Sequence, residues 1–312
     1  MALLDKRIEK SVRVLKLAAE MSREYYGQPM IICYSGGKDS DVLLHLAETH
    51  LGKDDFEVLN SHTTVDAPET DYHIREVFER LKNKGIEATI RYPTDKDGKR
   101  ITMWSLIVEK EVPPTRFARY CCSVLKETAT PNRMAILGVR SDESHKRKGR
   151  DIFGVNGNTY KDAKFFSFDH TREVYQEAKD RDPIWDCTLI KAMRTHNNTV
   201  VNAIYNWSDA DVWEYIRQEK IKTNPLYECG YIRVGCIGCP LASYSQKVKE
   251  FNDYPKYEMA YKRAFQRMID KRISKGKTSK NKNWIDGQGV FDWWISEYKD
   301  KCRGQMTLDD YV

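Results

Sequence analysis

Six residues of the chain, Ser35-Gly36-Gly37-Lys38-Asp39-Ser40, set two glycines, a lysine and two hydroxyls in one short stretch. They follow an apolar run, Met30-Ile31-Ile32-Cys33-Tyr34, and precede an amphipathic stretch. The run predicts a buried strand, and the stretch a helix with Val42, Leu43, Leu46 and Ala47 on one face. Two glycines let the backbone curl tightly around a ligand. Unpaired N–H groups at the helix start, and the helix dipole, favour an anion there. Lys38 adds positive charge, and Ser35 and Ser40 add donors. Such a turn can cradle phosphate; the plainer alternative is a strand-to-helix turn capped by Asp39 or Ser40.

The cysteines form the second chemical group. Cys121 and Cys122 are adjacent, Cys236-x-x-Cys239 follows far downstream, and Cys229 lies just before that pair. A C-x-x-C pair can hold zinc, iron or a cluster, or act in redox chemistry. Zinc usually takes two spaced pairs, and adjacent cysteines chelate it awkwardly. Soft thiolates suit an iron–sulfur cluster. Cys33, Cys187 and Cys302 read as structural thiols.

The phosphate cradle is neither a Walker A loop nor a dinucleotide Gly-x-Gly-x-x-Gly turn. The Gly276-Lys277-Thr278 triplet has Lys271 where a Walker A loop needs its first glycine, and no apolar strand precedes it, so it reads as a decoy.

Elements must position these groups. The first 25 residues alternate charged and apolar residues at helical spacing. Strands are expected at 56–60, 86–93 and from 134, with a helix opening at Ala67-Pro68-Glu69 and stopped by Gly85. A further strand precedes a helix N-capped by Ser208. Alternating strands and helices predict an α/β fold, a mainly parallel sheet with helices on both faces. Ligands in such folds sit at carboxyl ends of strands. Ser35 to Ser40, Thr63 to Asp66 and Arg140 to Asp142 all fall at such ends, so one shared pocket is expected. The polar, turn-rich segment 142–196 reads as an insertion over that pocket. Residues 1–245 are expected to form the main domain, and 246–312 a C-terminal helical appendage.

The chain has 312 residues, 40% of them apolar, enough for a core, and no run approaches the ~20 apolar residues of a membrane span. Without an uninterrupted apolar run at its start it is expected in the cytoplasm, where eight cysteines argue for thiols or metal rather than disulfides. Net charge is +6, with basic runs at 144–150 and 271–282. Such runs are solvated loops in most proteins, and can also steer a polyanion such as nucleic acid.

The six-residue turn resembles the PP-loop of the ATP-pyrophosphatase superfamily. A tandem Cys-Cys and a later C-x-x-C behind such a loop resemble the [4Fe–4S] reductases of adenylyl sulfate (APS) within the phosphoadenylyl sulfate (PAPS) reductase family. "GVRSDES", "NAIYNWSDADVWEYI" and "NPLYECGYIRVGCIGCP" resemble further segments of that family, in family order over roughly residues 30–245. The resemblance implies that Ser35, Gly36, Gly37, Lys38, Asp39 and Ser40 hold the nucleotide, with Asp66 beside it and Arg140 near its phosphates. Lys38, Asp39 and Arg140 are then the catalytic residues. It implies Cys121, Cys122, Cys236 and Cys239 as cluster ligands, with Cys229 as a substitute for one of them; zinc is the alternative occupant.

Two departures matter. The reductases carry a C-terminal nucleophilic cysteine in a Glu-Cys-Gly-x-His setting, whereas Cys302 lies in "DKCRGQMTLDDYV". The loop also keeps the full form typical of relatives that cleave ATP. Both favour cleavage of ATP to AMP and pyrophosphate, with Mg2+ held through Asp39 or Asp66, to activate an acceptor for sulfur transfer. The sulfurtransferase of DNA phosphorothioation is similar in combining loop and cluster, and would make nucleic acid a candidate substrate and a sulfur-donor protein a candidate partner. Thiol-dependent reduction of PAPS or APS is the alternative, and a non-catalytic nucleotide- and cluster-binding regulator a second one. A homo-oligomer and no membrane partner are expected.

Overall fold

In the computed structural model the described residues are 3–143, 145–148, 150–156, 164–180, 198–277, 279 and 281–296. They divide into two compact units: Met1–Asn60, Glu69–Arg91 and Thr130–Val234 form one, and Ser61–Pro68, Tyr92–Ala129 and Gly235–Val312 the other.

The first unit opens with helix α1 (Leu3–Tyr26), whose Val14, Leu15, Ala18 and Met21 are fully buried while its charged residues face out. Strand β1 (Met30–Cys33) leads into α2 (Lys38–His50), and Val42, Leu43, Leu46 and Ala47 form its buried face. Strand β2 (Phe56–Ser61) buries alternate residues, as a strand with one covered face must. Helix α3 (Pro68–Asn83) ends before Gly85, whose φ of +74° is the left-handed stop common after helices. Strands β3 (Ala88–Arg91), β4 (Arg133–Ile136), β5 (Phe153–Asn156), β6 (Lys164–Phe166) and β7 (Asn198–Val201) complete one sheet in the order β3-β2-β1-β4-β7-β5-β6. β1 pairs in parallel with β2 and with β4, and β4 with β7.

The expectation of a mainly parallel α/β sheet therefore holds. Segment 142–196 differs from the turn-rich reading where it is described. β5 pairs antiparallel to both β7 and β6, extending the sheet at its edge. Ile152 and Phe153 are buried, a short apolar anchor for a strand set in an otherwise polar segment. The helix Phe168–Asp180 follows β6. Residues 144, 149, 157–163 and 181–196 of that segment lie outside the described residues, as do Cys187, which is among them, and Cys302.

The second unit is helical. Helix Met103–Lys110 is N-capped by Thr102, and three helices beyond residue 243 follow: Tyr244–Asp253, Pro255–Ser274 and Gly287–Ser296. Their core is aromatic: Trp294 lies within 4.8–6.1 Å, ring to ring, of Phe251, Tyr261, Phe265 and Phe291. Among the described residues no helix is long and apolar enough to cross a membrane.

The basic run 271–282 has a structural role in part. Glu111, 7% exposed, binds Lys275 and, at 2.6 Å, Lys277, while Lys271 donates to the carbonyls of Val108 and Glu109. These lysines sit where the last carbonyls of helix Met103–Lys110 need donors. Lys277 of the decoy triplet is thus engaged by a carboxylate, and Thr278 lies outside the described residues. Hydrogen bonds from Lys275 and Lys277 hold the Glu111 carboxyl down at about 2, below its usual 4.5. A depressed carboxyl stabilises the fold above its unfolded pKa and loses that contribution as pH falls through the folded value. Glu111→Gln is expected to lower the melting temperature at pH 7. The gap from the parent should close between pH 4.5 and about 2 in a series of thermal melts; a pH-independent gap would contradict this role.

Candidate nucleotide site and cysteine centre

In the first unit the loop after β1 turns on Gly36, whose φ is +71°. A Cβ there would lie 2.9 Å from Ile74 Cγ1 and 3.2 Å from Thr70 Cγ2, so the turn requires glycine on both counts. The hydroxyl of Ser40 closes the loop, donating to the Gly37 carbonyl at 2.7 Å and accepting from the Gly37 N–H at 3.1 Å. Ser35 is exposed.

Four charges meet at the start of α2. Lys38 Nζ reaches Asp39 Oδ2 at 3.3 Å and Asp209 Oδ1 at 3.0 Å. Arg140 donates from Nε to Asp39 Oδ1 at 2.6 Å and from Nη2 to Asp209 Oδ1 at 2.9 Å. The cations are buried, at 6% and 3% exposed, while the carboxylates face out. The loop after β4 delivers Arg140, and Gly138 permits the approach: a Cβ there would sit 3.2 Å from the Asp39 backbone. Asp209 is the first residue of the helix Asp209–Gln218, whose cap, Ser208, accepts from the Asp211 N–H at 3.2 Å. Burial pushes the Asp209 carboxyl up, but the hydrogen bonds and charges of Lys38 and Arg140 outweigh it and hold the group below its usual value.

The underside of the loop is braced. Asn224, fully buried, donates to the Gly36 carbonyl and to Thr70 Oγ1, both at 3.1 Å. Tyr227 Oη accepts from the Lys38 N–H at 2.9 Å. Behind α2, Tyr34 donates to Asp41 Oδ1 at 2.5 Å, and His73 Nε2 lies within 2.9 Å of Tyr34 Oη and 3.2 Å of Asp41 Oδ1. Residue types alone do not single out Asp209, Asn224 or Tyr227, although all three stand in the segments quoted for their resemblance; only folding shows them at the loop.

In the second unit the cysteines gather. Cys121 and Cys122 occupy a helical turn (Tyr120–Cys122) that widens into a π turn (Ser123–Glu127), a distortion frequent at functional sites. Cys236 and Cys239 flank Gly238, whose φ is +68° and whose Cβ would meet Phe251 at 2.8 Å and Trp294 at 2.9 Å. Glu250 accepts from the Gly238 N–H at 2.7 Å, and the Ile237 N–H donates to the Val65 carbonyl at 2.7 Å. Cys236 Sγ lies 3.5 Å from Thr63 Oγ1 and 3.7 Å from Asp66 Oδ1. Asp66, expected beside a nucleotide, thus faces a thiol and accepts from Thr63 Oγ1 at 2.6 Å. Cys229 belongs to the first unit and is exposed, and Cys33 is a thiol that burial pushes up to about 12.

The four thiols act on one another. A hydrogen bond to Cys122 raises Cys121, with burial and the charges of Cys236 and Cys239 adding to it. The same bond lowers Cys122 against burial, helped by Arg119. Burial raises Cys236, while Lys126 opposes it. Among the described residues no three Cys, His, Asp or Glu side chains stand ready to hold a metal ion. The donor set nonetheless fits a thiolate-ligated cluster: four soft ligands in mutual electrostatic range, an aromatic wall behind Gly238, and the cations Arg119 and Lys126 to offset their negative charge.

Residues 29–242, more than half of the chain, match the sequence model of the phosphoadenosine phosphosulfate reductase domain. An uncharacterised protein of Methanocaldococcus jannaschii is 26% identical over 272 residues, 85% of this chain and 46% of that protein. Sulfate adenylyltransferase subunit 2 of Bradyrhizobium sp. is 26% identical over 233 residues, 70% of this chain and 61% of that subunit. The chain spans about half the length of the first of these relatives. Among solved structures, the PAPS reductase of Candida auris aligns with a TM-score of 0.43 at 13% identity, covering 76% of this chain and 96% of that one. A U34-tRNA thiolase from Methanococcus maripaludis, solved with its [4Fe–4S] cluster, aligns with a TM-score of 0.41 at 12% identity, covering 99% and 86%. On the extent of the domain match, the chain belongs to the phosphoadenosine phosphosulfate reductase domain family.

Proposed function

We propose that the chain is an enzyme that binds ATP at Ser35–Ser40 with Arg140 and cleaves it to AMP and pyrophosphate, activating an acceptor for sulfur transfer. The observation that carries this reading is the ring of Lys38, Arg140, Asp39 and Asp209 at a helix N-terminus. The cations suit the charge that develops on a departing pyrophosphate, since phosphoryl and adenylyl transfer depend on positioning and charge neutralisation. Without ligand, the two aspartates already compensate them. Mg2+ bound to the outward carboxylates of Asp39 and Asp209 would supply further neutralisation and leave Lys38 and Arg140 to phosphate oxygens. Asn224 and Tyr227 would hold the loop in shape as the nucleotide binds.

Cys121, Cys122, Cys236 and Cys239 would hold a [4Fe–4S] cluster, which when bound supplies an iron–sulfur centre for the sulfur chemistry. Arg119 and Lys126 would balance the thiolate charge. A sulfonucleotide reductase is the second reading, favoured by the name of the matched domain; it would need a nucleophilic thiol, for which Cys302 is the candidate.

Anaerobic protein supplied in parallel with ATP and with PAPS separates the two. Pyrophosphate from ATP, reduced ~100-fold or more in Lys38→Ala, is expected. Sulfite from PAPS, abolished in Cys302→Ser, would replace this reading with the reductase. Asn224→Ala leaves the Gly36 carbonyl and Thr70 without their buried donor, and should cost about 1–3 kcal/mol in denaturant unfolding. Cys236→Ser should lose iron and sulfide on elemental analysis while still binding ATP in an equilibrium titration; retained iron would remove Cys236 from the ligand set.

A further inference from the structure

The second unit carries a groove of about 540 Å³ between the helices Met103–Lys110 and Pro255–Ser274, lined by Trp104, Ala260, Arg263, Gln266 and Arg267. None of the chemistry above uses it. Trp104 is half-buried, held edge-to-face against Tyr261 with centroids 5.0 Å apart, and its indole N–H makes no hydrogen bond among the described residues. Ala260 leaves the space beside the indole open. Arg263 and Arg267 are exposed, one helical turn apart, and no carboxylate among the described residues pairs with either.

The neighbouring carboxylates have other partners. Glu258 is bound by Lys262, Asp270 accepts from Gln266 at 2.8 Å, and Glu109 is bound by Lys110 at 2.8 Å. The groove therefore keeps two guanidinium groups that no described carboxylate pairs with, although Asp270, whose charge the neutral Gln266 amide leaves in place, lies three residues from Arg267 on the same helix. Lys256, on the same stripe as Ala260, Arg263 and Arg267, is also exposed. Positions 256 to 267 extend this stripe over ~16 Å of helix.

A flat aromatic side chain beside unpaired arginines selects for a ligand that is both planar and anionic. A guanidinium binds phosphate through paired N–H donors, and an indole offers a stacking face that accepts any base. A carboxylate-rich peptide would satisfy the arginines but leave the indole unused. We propose that this groove binds single-stranded nucleic acid, with a base against Trp104 and backbone phosphates on Arg263 and Arg267. The proposal concerns the surface of the second unit alone and stands whether or not ATP is cleaved.

Fluorescence anisotropy of labelled 12-nucleotide RNA and DNA single strands, with the full chain and no ATP, tests it. Binding is expected for at least one of them, weakened tenfold or more in the double variant Arg263→Glu/Arg267→Glu. When both arginines become glutamine, the slope of log affinity against log salt should shrink by roughly 0.7 for each phosphate no longer neutralised. Trp104→Ala should weaken binding about fivefold or more with the slope unchanged, and Trp104→Phe should restore it. Both arginines are exposed, so their variants should keep the parent's melting temperature. No binding of either strand at 50 mM salt, affinity unchanged in the double glutamate variant, or equal displacement by polyglutamate at matched charge would each overturn the proposal, the last in favour of an acidic protein partner.

Discussion

Two buried cations, Lys38 and Arg140, share one oxygen of Asp209 and both reach Asp39. Like charges that close in a partly desolvated site repel strongly, and each would be costly to bury alone. The two aspartates make the pair tolerable, and the local fold of the first unit serves to bring these four side chains together. Gly36 turns the chain so that Lys38 begins a helix, Gly138 lets the β4 loop close on Asp39, and the Ser208 cap sets Asp209 at the first position of its helix. Asn224 and Tyr227 then secure the turn from below.

The same exchange explains why the aspartates lie outward of the cations. An anionic ligand gains little from a cation already paired, unless something takes up the pairing carboxylates. On the proposed reading, polyphosphate and a divalent cation entering together would keep the charges of this site balanced, and binding of one would favour binding of the other.

The second unit brings four partly or fully buried cysteines into electrostatic range of one another. The aromatic cluster around Trp294 leaves room for only a glycine at the middle of Cys236-x-x-Cys239, and Glu250 fixes that turn through its backbone. Farther along the same unit, Glu111 gathers lysines from a run whose charge would otherwise be wholly free. Arg263 and Arg267, elsewhere on this unit, are paired with no described carboxylate, and it is on these that the proposed anionic ligand would rest.

Much was legible in the order of residues. Strands and helices followed from local periodicity, because Val42, Leu43, Leu46 and Ala47 bury one face at helical spacing. The glycine turn and the paired cysteines were legible because each is a short contiguous signal. Other features depended on distance along the chain. Asp209 lies 69 residues beyond its partner Arg140, and Asp66 lies 170 residues before the thiol it faces. A residue's type states which bonds it can make, but its choice of partner is set by packing. By itself the sequence determined an α/β chain with a phosphate-type turn and a set of soft ligands. Only the tertiary structure decided that Asp39 and Asp209 balance Lys38 and Arg140, that Asp66 stands with Cys236, and that the basic run is partly neutralised while two arginines on a neighbouring stretch of helix are not, because charge compensation depends on distances in space that no local pattern encodes.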